Sequence, residues 1–480
     1  KTTSKNISNK KIDVMHIKGS GWDMGSIEYP GLPAVELNPL KATLNLKKLN
    51  DFDMVNLQRK CLLNSSSPNP SVETLLHAFL PHTYVDHTHA SAILSLIDQP
   101  NNIKICQDAF GDNVGIVPYV IPGFELAKIA YKVYTQNPKV IGLILLKHGI
   151  FTFGNSAKES YDRMIKLVSI AEKKLQKIPN KIITRRALKK NLTIEKKSNL
   201  FLPLIRKYLF HKEEDGSYTK WILNIRTNKN IIKYLNHPKL EKFTQRGPIT
   251  PDHVIRIKPK PLIIDLRKKT GKKIEITIKN NIQKFKSEYK KYFLRNKKYL
   301  PNSKELDPNP RLVFIPGFAI IGIGRTLKEA SIASDLAECT VDVISKAESF
   351  GKFQSINEKE VFKVEYWSLE QDKLKGIIRQ PFTGNIVVIS GGCGAIGLAT
   401  AREFLNEGAE VILLENNLLN IKNTPQEIAK NAKIIRCDVT NLLDVQKAFK
   451  QICLTYGGMD ILVSNAGAAW QGNIGTVSDE

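Results

Sequence analysis

An internal repeat constrains the fold of this chain more than any other feature, since residues 141–173 and 311–343 match in pattern. Each segment contains a short apolar run, a second apolar run rich in glycine, a Lys-Glu pair and a long amphipathic stretch. This order predicts two strands followed by a helix, so we expect one structural unit to occur twice. The alignment places Phe318 of the second copy where the first copy has His148. We therefore predict a degenerate second copy that has lost whatever His148 does.

The pattern of the sequence divides the chain into three stretches. Residues 1–178 alternate strand-like and helical patterns, and residues 179–380 are basic and less regular. Residues 381–480 contain an apolar run, a glycine loop, a helical pattern and another apolar run, which is typical of a parallel sheet flanked by helices. We predict an α/β protein with three regions bounded in this way, of which the middle region contains the second copy.

The formal net charge of +26 raises the question of nucleic-acid binding. Residues 267–304 hold 14 Lys and Arg residues against two acids, Glu275 and Glu288. Such a run can bind nucleic acid, or it can be the solvated face of a helix in a Lys-rich chain. We favour the solvated face because no nucleic-acid-binding motif accompanies the run. Nucleic-acid binding is the least favoured of the functions considered.

Hydrophobicity and cysteine content indicate packed domains in a reducing compartment. The 480 residues are 42% hydrophobic, which is enough for packed cores. No uncharged apolar stretch reaches the length of about 18 residues that a transmembrane helix needs. The first residues contain no apolar signal-like segment, and the six cysteines form no C-x-x-C pair. These features predict a cytoplasmic protein without a disulfide framework. Because the chain begins with Lys rather than Met, we expect residues to precede it.

Histidines supply the strongest chemical signal. His87 and His89 are separated by one residue in a strand-like run, so both imidazoles can point to one face. His148 lies in LILLKHGIFTFG, another strand-like run, and Glu73 lies on the helix before the histidine pair. Three neutral imidazoles with an open fourth position are typical of a catalytic zinc site. Because a His-x-His pair alone can also be two ordinary histidines, the prediction depends on the complete set.

With these residues identified, residues 13–178 resemble the class II aldolase/adducin N-terminal family, which includes the fuculose- and rhamnulose-phosphate aldolases. The resemblance implies a Zn²⁺ ion held by His87, His89 and His148, with Glu73 as acid/base. In that chemistry, zinc polarises a carbonyl and stabilises the charge that forms when a carbon–carbon bond breaks. The implied substrate is a phosphorylated ketose similar to rhamnulose 1-phosphate. The family also implies a homo-oligomer.

The same resemblance extends to residues that would contact the substrate. Ser20 and Gly21 of the sequence KGSG match the family's substrate loop, and Ser71 matches a residue before the glutamate. A plain tight turn is the alternative for KGSG. Tyr119 matches a family tyrosine that donates a proton, and the alternative is a packing residue beside Pro118. The family's earliest phosphate loop would lie before the first residue.

The segment NIVVISGGCGAIGLATAREF carries a second signature. Gly392, Gly394 and Gly397 form a G-x-G-x-x-G motif after a strand and before a helix, where the backbone can approach a pyrophosphate. Glu415 closes the next strand-like run. An acid in that position favours the ribose 2′-hydroxyl of NAD over the 2′-phosphate of NADP. A Rossmann domain that binds no nucleotide is the alternative.

Residues 383–480 resemble the first half of a short-chain dehydrogenase. The family pattern assigns the cofactor to a set of nine residues, namely Gly391, Gly394, Ile396, Gly397, Glu415, Asp438, Asn465, Ala466 and Gly467. The family's catalytic Ser and Tyr-x-x-x-Lys would follow the last residue. We therefore expect an incomplete domain. The sequence leaves undecided whether this domain binds NAD, and we expect no hydride transfer by this chain alone.

Both blocks in this order resemble the bifunctional class II aldolase/short-chain dehydrogenase family, related to rhamnulose-1-phosphate aldolase/alcohol dehydrogenases, with both ends clipped. The resemblance predicts a zinc-dependent aldolase fused to a partial NAD-binding Rossmann domain. The alternative is a catalytically inactive remnant that retains at most nucleotide or metal binding.

Overall fold

The computed structural model describes residues 1–179, 182, 196–212, 216, 218–372 and 380–467. We call residues 1–179 the first region, residues 196–372 the second region and residues 380–467 the third region. Each region contains one four-stranded sheet. A three-stranded antiparallel sheet precedes the first of them, and a two-stranded hairpin precedes the second.

The first region is built around a mixed sheet with the strand order β4-β7-β6-β5. Its strands, with those of the N-terminal sheet, are β1 (Thr2–Lys5), β2 (Lys11–His16), β3 (Ala34–Glu36), β4 (Tyr84–Thr88), β5 (Val114–Val117), β6 (Gly142–Leu145) and β7 (Gly149–Gly154). Its helices are α1 (Leu37–Ala42), α2 (Asp51–Lys60), α3 (Thr74–Phe79), α4 (Ser91–Ile97), α5 (Asn102–Phe110), α6 (Phe124–Gln136) and α7 (Ala157–Gln176). Strands β6 and β7 are buried along their whole length, which explains why they are continuously apolar rather than alternating.

The second region has a sheet of the same kind, with the strand order β10-β13-β12-β11. Its strands are β8 (His211–Lys212), β9 (Tyr218–Thr219), β10 (Ile222–Arg226), β11 (Leu262–Ile263), β12 (Leu312–Ile315) and β13 (Ala319–Gly324). Its helices are α8 (Ser198–Leu209), α9 (Lys229–Leu235), α10 (Leu240–Thr244), α11 (Val254–Ile257), α12 (Lys272–Asn296), α13 (Leu327–Phe350), α14 (Glu358–Glu365) and α15 (Ser368–Asp372). The basic run forms α12, whose lysines are mostly exposed and whose Ile274, Ile278 and Ile282 are buried.

The structure confirms the internal repeat. Corresponding strands pair in the same way in both copies. Strand β4 is antiparallel to β7, as β10 is to β13, and strand β5 is parallel to β6, as β11 is to β12. Each closing helix starts with the same cap. Ser156 accepts a hydrogen bond from the Glu159 amide at 3.1 Å, and Thr326 accepts one from the Glu329 amide at 3.2 Å. These reciprocal caps set where α7 and α13 begin.

The two copies share one hydrophobic core. Side chains of α4 and α7 from the first region and of α13 from the second belong to the same buried cluster. Gln99 ties the regions together, since its amide donates to the Ala347 carbonyl at 2.9 Å and its oxygen accepts from the Lys352 amide at 2.8 Å. The first and second regions therefore pack as one body, and residues of one can reach a site of the other.

The third region forms a parallel sheet with the strand order β16-β15-β14-β17. Its strands are β14 (Ile386–Ser390), β15 (Glu410–Glu415), β16 (Lys433–Arg436) and β17 (Ile461–Val463), and its helices are α16 (Ala395–Asn406), α17 (Leu418–Lys422), α18 (Gln426–Asn431) and α19 (Leu442–Tyr456). A buried ion pair between Arg206 and Asp460, 2.7 Å long, joins it to the second region. This order is that of a nucleotide-binding half of a Rossmann fold.

All six cysteines are free thiols. Among the described residues, none of the helices is long and apolar enough to cross a membrane.

Candidate metal centre

Three histidines meet at one corner of the first sheet. His87 lies in β4, His89 follows the end of that strand, and His148 lies in the turn between β6 and β7. Because β4 pairs with β7, the turn comes next to the histidine pair. Among the described residues, one ligand atom from each of the three lies within 4.8 Å of the others. The Nε2 atoms of His87 and His89 are 3.0 Å apart.

Neighbouring groups fix the orientation of these rings. The His87 Nδ1 lies 2.9 Å from the Ile150 carbonyl oxygen, so Nδ1 carries the hydrogen and Nε2 presents its lone pair to the site. Phe151 stacks on the His87 ring with a centroid distance of 4.1 Å. Gly149 is required by close packing, since a Cβ there would lie 2.6 Å from the Thr88 carbonyl oxygen and 2.8 Å from the His89 ring.

Glu73 lies beside two of the histidines. It occupies the position before α3, and its side chain is 12% exposed. Its two carboxylate oxygens lie 3.4 Å from the Nε2 of His87 and 3.2 Å from the Nε2 of His148. Burial opposes the charged form, but His87 first and then His148 and His89 lower the pKa of Glu73 well below its usual value. The carboxylate is therefore ionised at neutral pH.

The second region contributes a residue that sequence reasoning missed. Asp252 lies in the 3-10 turn Pro251–His253, immediately before α11. Its Oδ2 is 3.6 Å from the Nε2 of His89 and 3.9 Å from the Nε2 of His148. No local motif marks this aspartate in the sequence. It reaches the site only because the two regions share a core.

Burial favours the neutral form, which is the form that binds metals, in His87 and His89. Burial, followed by the charge of His87, lowers the pKa of His89 to about 3. Burial also lowers the pKa of His87, despite the opposing effect of Glu73. His77, on α3, is half-buried beside Phe151, and its desolvation lowers its pKa to about 4. Neutral imidazoles with convergent lone pairs suit Zn²⁺, so the donor set fits the predicted ion.

A cavity of about 1400 Å³ lies against the same part of the chain. Ser20 and Gly21 line it, together with Val72 next to Glu73 and Arg256 on α11. The loop is held in place because the Ser20 amide donates to the Asn69 carbonyl at 2.7 Å. The Ser71 hydroxyl faces the backbone, where it accepts a hydrogen bond from the Glu73 amide at 3.3 Å.

Tyr119 follows β5 and lies at the seam between the first and second regions. It lines a cavity of about 580 Å³ with Asp51, Glu360 and Lys363. Its hydroxyl is buried without a hydrogen-bond partner among the described residues. Burial, then the charges of Glu360 and Asp252, raises the pKa of Tyr119, so the phenol stays protonated. The structure records no direct contact of Tyr119 with the histidines in the part of the chain that it describes.

The glycine loop of the third region is a tight turn between β14 and α16. Gly391 adopts φ +59°, and a Cβ on Gly397 would lie 2.5 Å from the Gly391 carbonyl oxygen. Asn465 closes the loop from the neighbouring strand, since its side-chain amide donates to the Ser390 and Gly391 carbonyls at 2.9 and 3.1 Å. The Ser390 hydroxyl accepts from the amides of Asn465 and Ala466. A loop of this kind at the start of α16 can hold a pyrophosphate.

The remaining predicted cofactor residues lie at the same edge of the parallel sheet. Glu415 ends β15 and is nearly buried, and its oxygens accept hydrogen bonds from the Cys393 amide at 3.3 Å and the Asn417 amide at 2.9 Å. Asp438 follows β16 and accepts from the Thr440 amide and hydroxyl. Gly394 precedes α16, Ile396 is largely exposed, and Gly467 follows Asn465 and Ala466. Since a carboxylate offers about four acceptor positions, Glu415 can still accept from a ribose hydroxyl.

Comparison with known families covers nearly the whole chain. The family described as class II aldolase and adducin N-terminal domain matches residues 1–175. The family described as aldolase class II, second domain, matches residues 196–374, and short chain dehydrogenase matches residues 385–480. The second of these corresponds to the degenerate copy that the internal repeat predicts.

Individual proteins are also similar to parts or nearly all of this chain. The uncharacterized oxidoreductase YuxG of Bacillus subtilis is 32% identical over 483 residues, which cover 98% of this chain and 69% of YuxG. Short-chain dehydrogenase reductase 3a of Arabidopsis thaliana is 37% identical over 89 residues, which cover 18% of this chain and 35% of that protein. A solved class II aldolase domain from Thermoplasma acidophilum is 38% identical and covers 36% of this chain and 80% of its own, with a TM-score of 0.35. The chain belongs to the bifunctional family in which class II aldolase domains are fused to a short-chain dehydrogenase domain.

Proposed function

We propose that the first region is a zinc-dependent aldolase that cleaves a phosphorylated ketose of the rhamnulose 1-phosphate type. The observation that carries the proposal is the convergence of His87, His89 and His148, whose ligand atoms lie within 4.8 Å of one another beside an ionised Glu73. A bound Zn²⁺ ion would supply Lewis-acid stabilisation of the negative charge that develops when the carbon–carbon bond of the ketose breaks.

In this proposal Glu73 transfers the proton at the reacting carbon. Its carboxylate is ionised, buried and within 3.4 Å of the His87 ring. In the direction of condensation, the carbon that will form the new bond loses a proton to this carboxylate. In the direction of cleavage, the same carbon receives the proton back. General acid–base transfer of this kind contributes about 10²- to 10⁴-fold to a rate.

Tyr119 is our candidate for donating the second proton in the condensation direction, in which the aldehyde oxygen becomes a hydroxyl and the phenol becomes a phenolate; cleavage returns the proton to that phenolate. Its hydroxyl is buried and protonated, and the charge of Asp252 acts on it. Its position at the seam also suits a purely structural residue beside Pro118. Tyr119→Phe distinguishes the two roles, since a proton donor is needed for turnover but not for folding.

The phosphate of the substrate would occupy the adjoining cavity. Ser20 offers a hydroxyl, and Gly21 adopts φ +82°, a conformation that leaves the backbone open to a ligand. Arg256 supplies a positive charge on the wall of the same cavity. Hydroxyl, backbone and guanidinium groups together are the partners that phosphate oxygens prefer.

For the third region we propose binding of NAD in preference to NADP. The loop that Asn465 closes over Ser390 and Gly391 supports nucleotide binding. Glu415 supports the choice of NAD, because its carboxylate repels a 2′-phosphate. Nucleotide binding without catalysis is the second candidate function, and it does not depend on the aldolase site.

The test is a zinc determination on the purified full chain, followed by an aldol cleavage assay. Rhamnulose 1-phosphate and fuculose 1-phosphate are offered separately, and dihydroxyacetone phosphate is measured as the common product. We expect stoichiometric zinc and cleavage of one of the two sugars. His148→Phe, which copies the residue of the second copy, serves as the control. Zinc without cleavage of either sugar would favour the inactive remnant, and absence of zinc would reject the proposal.

A further inference from the structure

The second region reaches into the metal centre of the first through one carboxylate. We propose that Asp252 is a donor to the same divalent cation as His87, His89 and His148, so that the cation joins the two regions. The inference depends on the proposed function only in that a metal must bind at the histidines. It concerns a residue from the copy that has no histidines of its own at this corner.

The distances from Asp252 to His89 and His148 fall within the range for two donors that share one ion. With metal–donor bonds of about 2.1 Å, two donors lie about 3.0 Å apart at a right angle and about 3.6 Å apart at 120°. The His87–His89 distance is 3.0 Å and the Asp252–His89 distance is 3.6 Å. The Oδ2 of Asp252 lies 3.9 Å from the Nε2 of His148, so a small shift of the Asp252 side chain would bring both atoms within bonding distance of one ion.

The two carboxylates approach different sides of the histidine triangle. Glu73 lies beside His87 and His148. Asp252 lies beside His89 and His148. Asp252 can therefore stay in place while Glu73 moves to serve the substrate. This arrangement separates holding the ion from moving the proton.

The charges at the site also call for a cation. The His87 Nδ1 hydrogen faces the Ile150 carbonyl, so its Nε2 lone pair points toward His89 and Glu73. Lone pairs and carboxylates that converge in this way repel one another unless a cation lies between them.

The backbone presents Asp252 from a packed element. Pro251 and His253, on either side of it, are buried. The following helix, α11, buries Val254 against Val361 and Val364 of α14. A carboxylate on such a support is held near the histidines before the ion binds, and this reduces the ordering that binding requires.

The test compares Asp252→Asn with wild type in the full chain. Zinc affinity is measured by competition with a chromophoric chelator, and Co²⁺ is substituted to record the visible spectrum. We expect the zinc dissociation constant to rise about 10- to 100-fold, the range seen when a supporting group of a metal site is lost. The Co²⁺ spectrum should change in intensity because one donor is missing. Asp265→Asn is the matched control, since Asp265 pairs with Arg267 at the surface of the same region.

Two further measurements distinguish metal coordination by Asp252 from a purely structural role. Asp252→Glu keeps the carboxylate and should recover most of the affinity. The unfolding midpoint of the metal-free protein should be the same in wild type and Asp252→Asn, while the rise on adding zinc should be smaller in the variant. Equal zinc affinity and equal Co²⁺ spectra in wild type and Asp252→Asn would overturn the inference. So would equal loss of affinity in Asp252→Asn and Asp252→Glu. Wild type without any zinc would instead reject the proposed function.

Discussion

The two copies of the strand–strand–helix unit share a backbone and differ in chemistry. Strand pairing places Ile225 and Thr227 of the second copy where the first has His87 and His89. Phe318 stands where the first has His148, and it packs edge-on against Phe201 at 5.2 Å. The corner that carries the three histidines in the first copy is occupied by packed apolar side chains in the second. The comparison shows that this fold accommodates a cluster of histidines at this corner without requiring one.

What the copies retain is the set of residues that shape the backbone. Both closing helices keep a hydroxyl cap and its reciprocal glutamate. Both second strands end in a glycine, since a Cβ on Gly154 or Gly324 would lie 2.9 or 2.5 Å from the Cβ of Glu159 or Glu329. These positions are set by packing and not by catalysis, so they persist where the histidines do not.

We expect the largest effect, on zinc binding and activity, when His148 of the first copy is replaced by the phenylalanine found at the corresponding position of the second. His148→Phe removes one of three imidazoles and fills the space with a ring. We expect no stoichiometric zinc and no aldol cleavage above background, measured by metal analysis and product assay. A folded variant that keeps its zinc would break the contrast between the copies.

Glu73→Gln separates proton transfer from metal binding. The amide keeps the shape of the side chain but cannot act as a base. We expect zinc to remain bound and the cleavage rate to fall by about 10²- to 10⁴-fold. Unchanged turnover in this variant would assign the proton transfer to another group.

The reverse exchange tests the second copy. Phe318→Ala should lower the free energy of unfolding by about 3–5 kcal/mol, because a buried ring is removed from the core. Phe318→His should bind no additional zinc, since Ile225 and Thr227 cannot coordinate it. Denaturant unfolding and zinc stoichiometry measure the two effects. A second equivalent of zinc in Phe318→His would show that one histidine is enough.

Acid should destabilise the metal-free protein through its buried histidines. The pKa of His77 falls from 6.5 to about 4 in the folded protein, mainly by burial, so between these values the unfolded chain binds the extra proton. The free energy of unfolding should therefore fall as pH drops from 6.5 towards 4, by up to about 1.4 kcal/mol per pH unit for each such histidine. Urea unfolding in the presence of a chelator measures this slope, and His77→Gln should make it shallower. A slope that His77→Gln leaves unchanged would contradict the assignment.

The smallest effect should be the same in both copies. Ser156→Ala and Thr326→Ala each remove a helix cap, at a cost of about 1 kcal/mol in unfolding free energy. Zinc binding should be unaffected in both. A loss of zinc in Ser156→Ala would mean that the start of α7 also positions the metal centre.

Local patterns in the sequence singled out the three histidines that the structure brings together. The alternation of strand residues placed His87 and His89 on one face, and the repeat register paired His148 with Phe318. Asp252 could not be found in this way, because it reaches the histidines through packing between regions that are far apart in the chain. The hydrogen bonds of Glu415 to backbone amides were also beyond the motif, which specifies a residue type and not its partners.

X-ray absorption at the zinc edge of the metal-loaded full chain tests the central claim most directly. The account predicts a shell of imidazole nitrogens and carboxylate oxygens at about 2.0–2.2 Å, with three histidine contributions. Replacement of His148 by Phe should remove the signal. Sulfur scattering at about 2.3 Å, or bound zinc without imidazole scattering, would contradict the assignment of the metal centre.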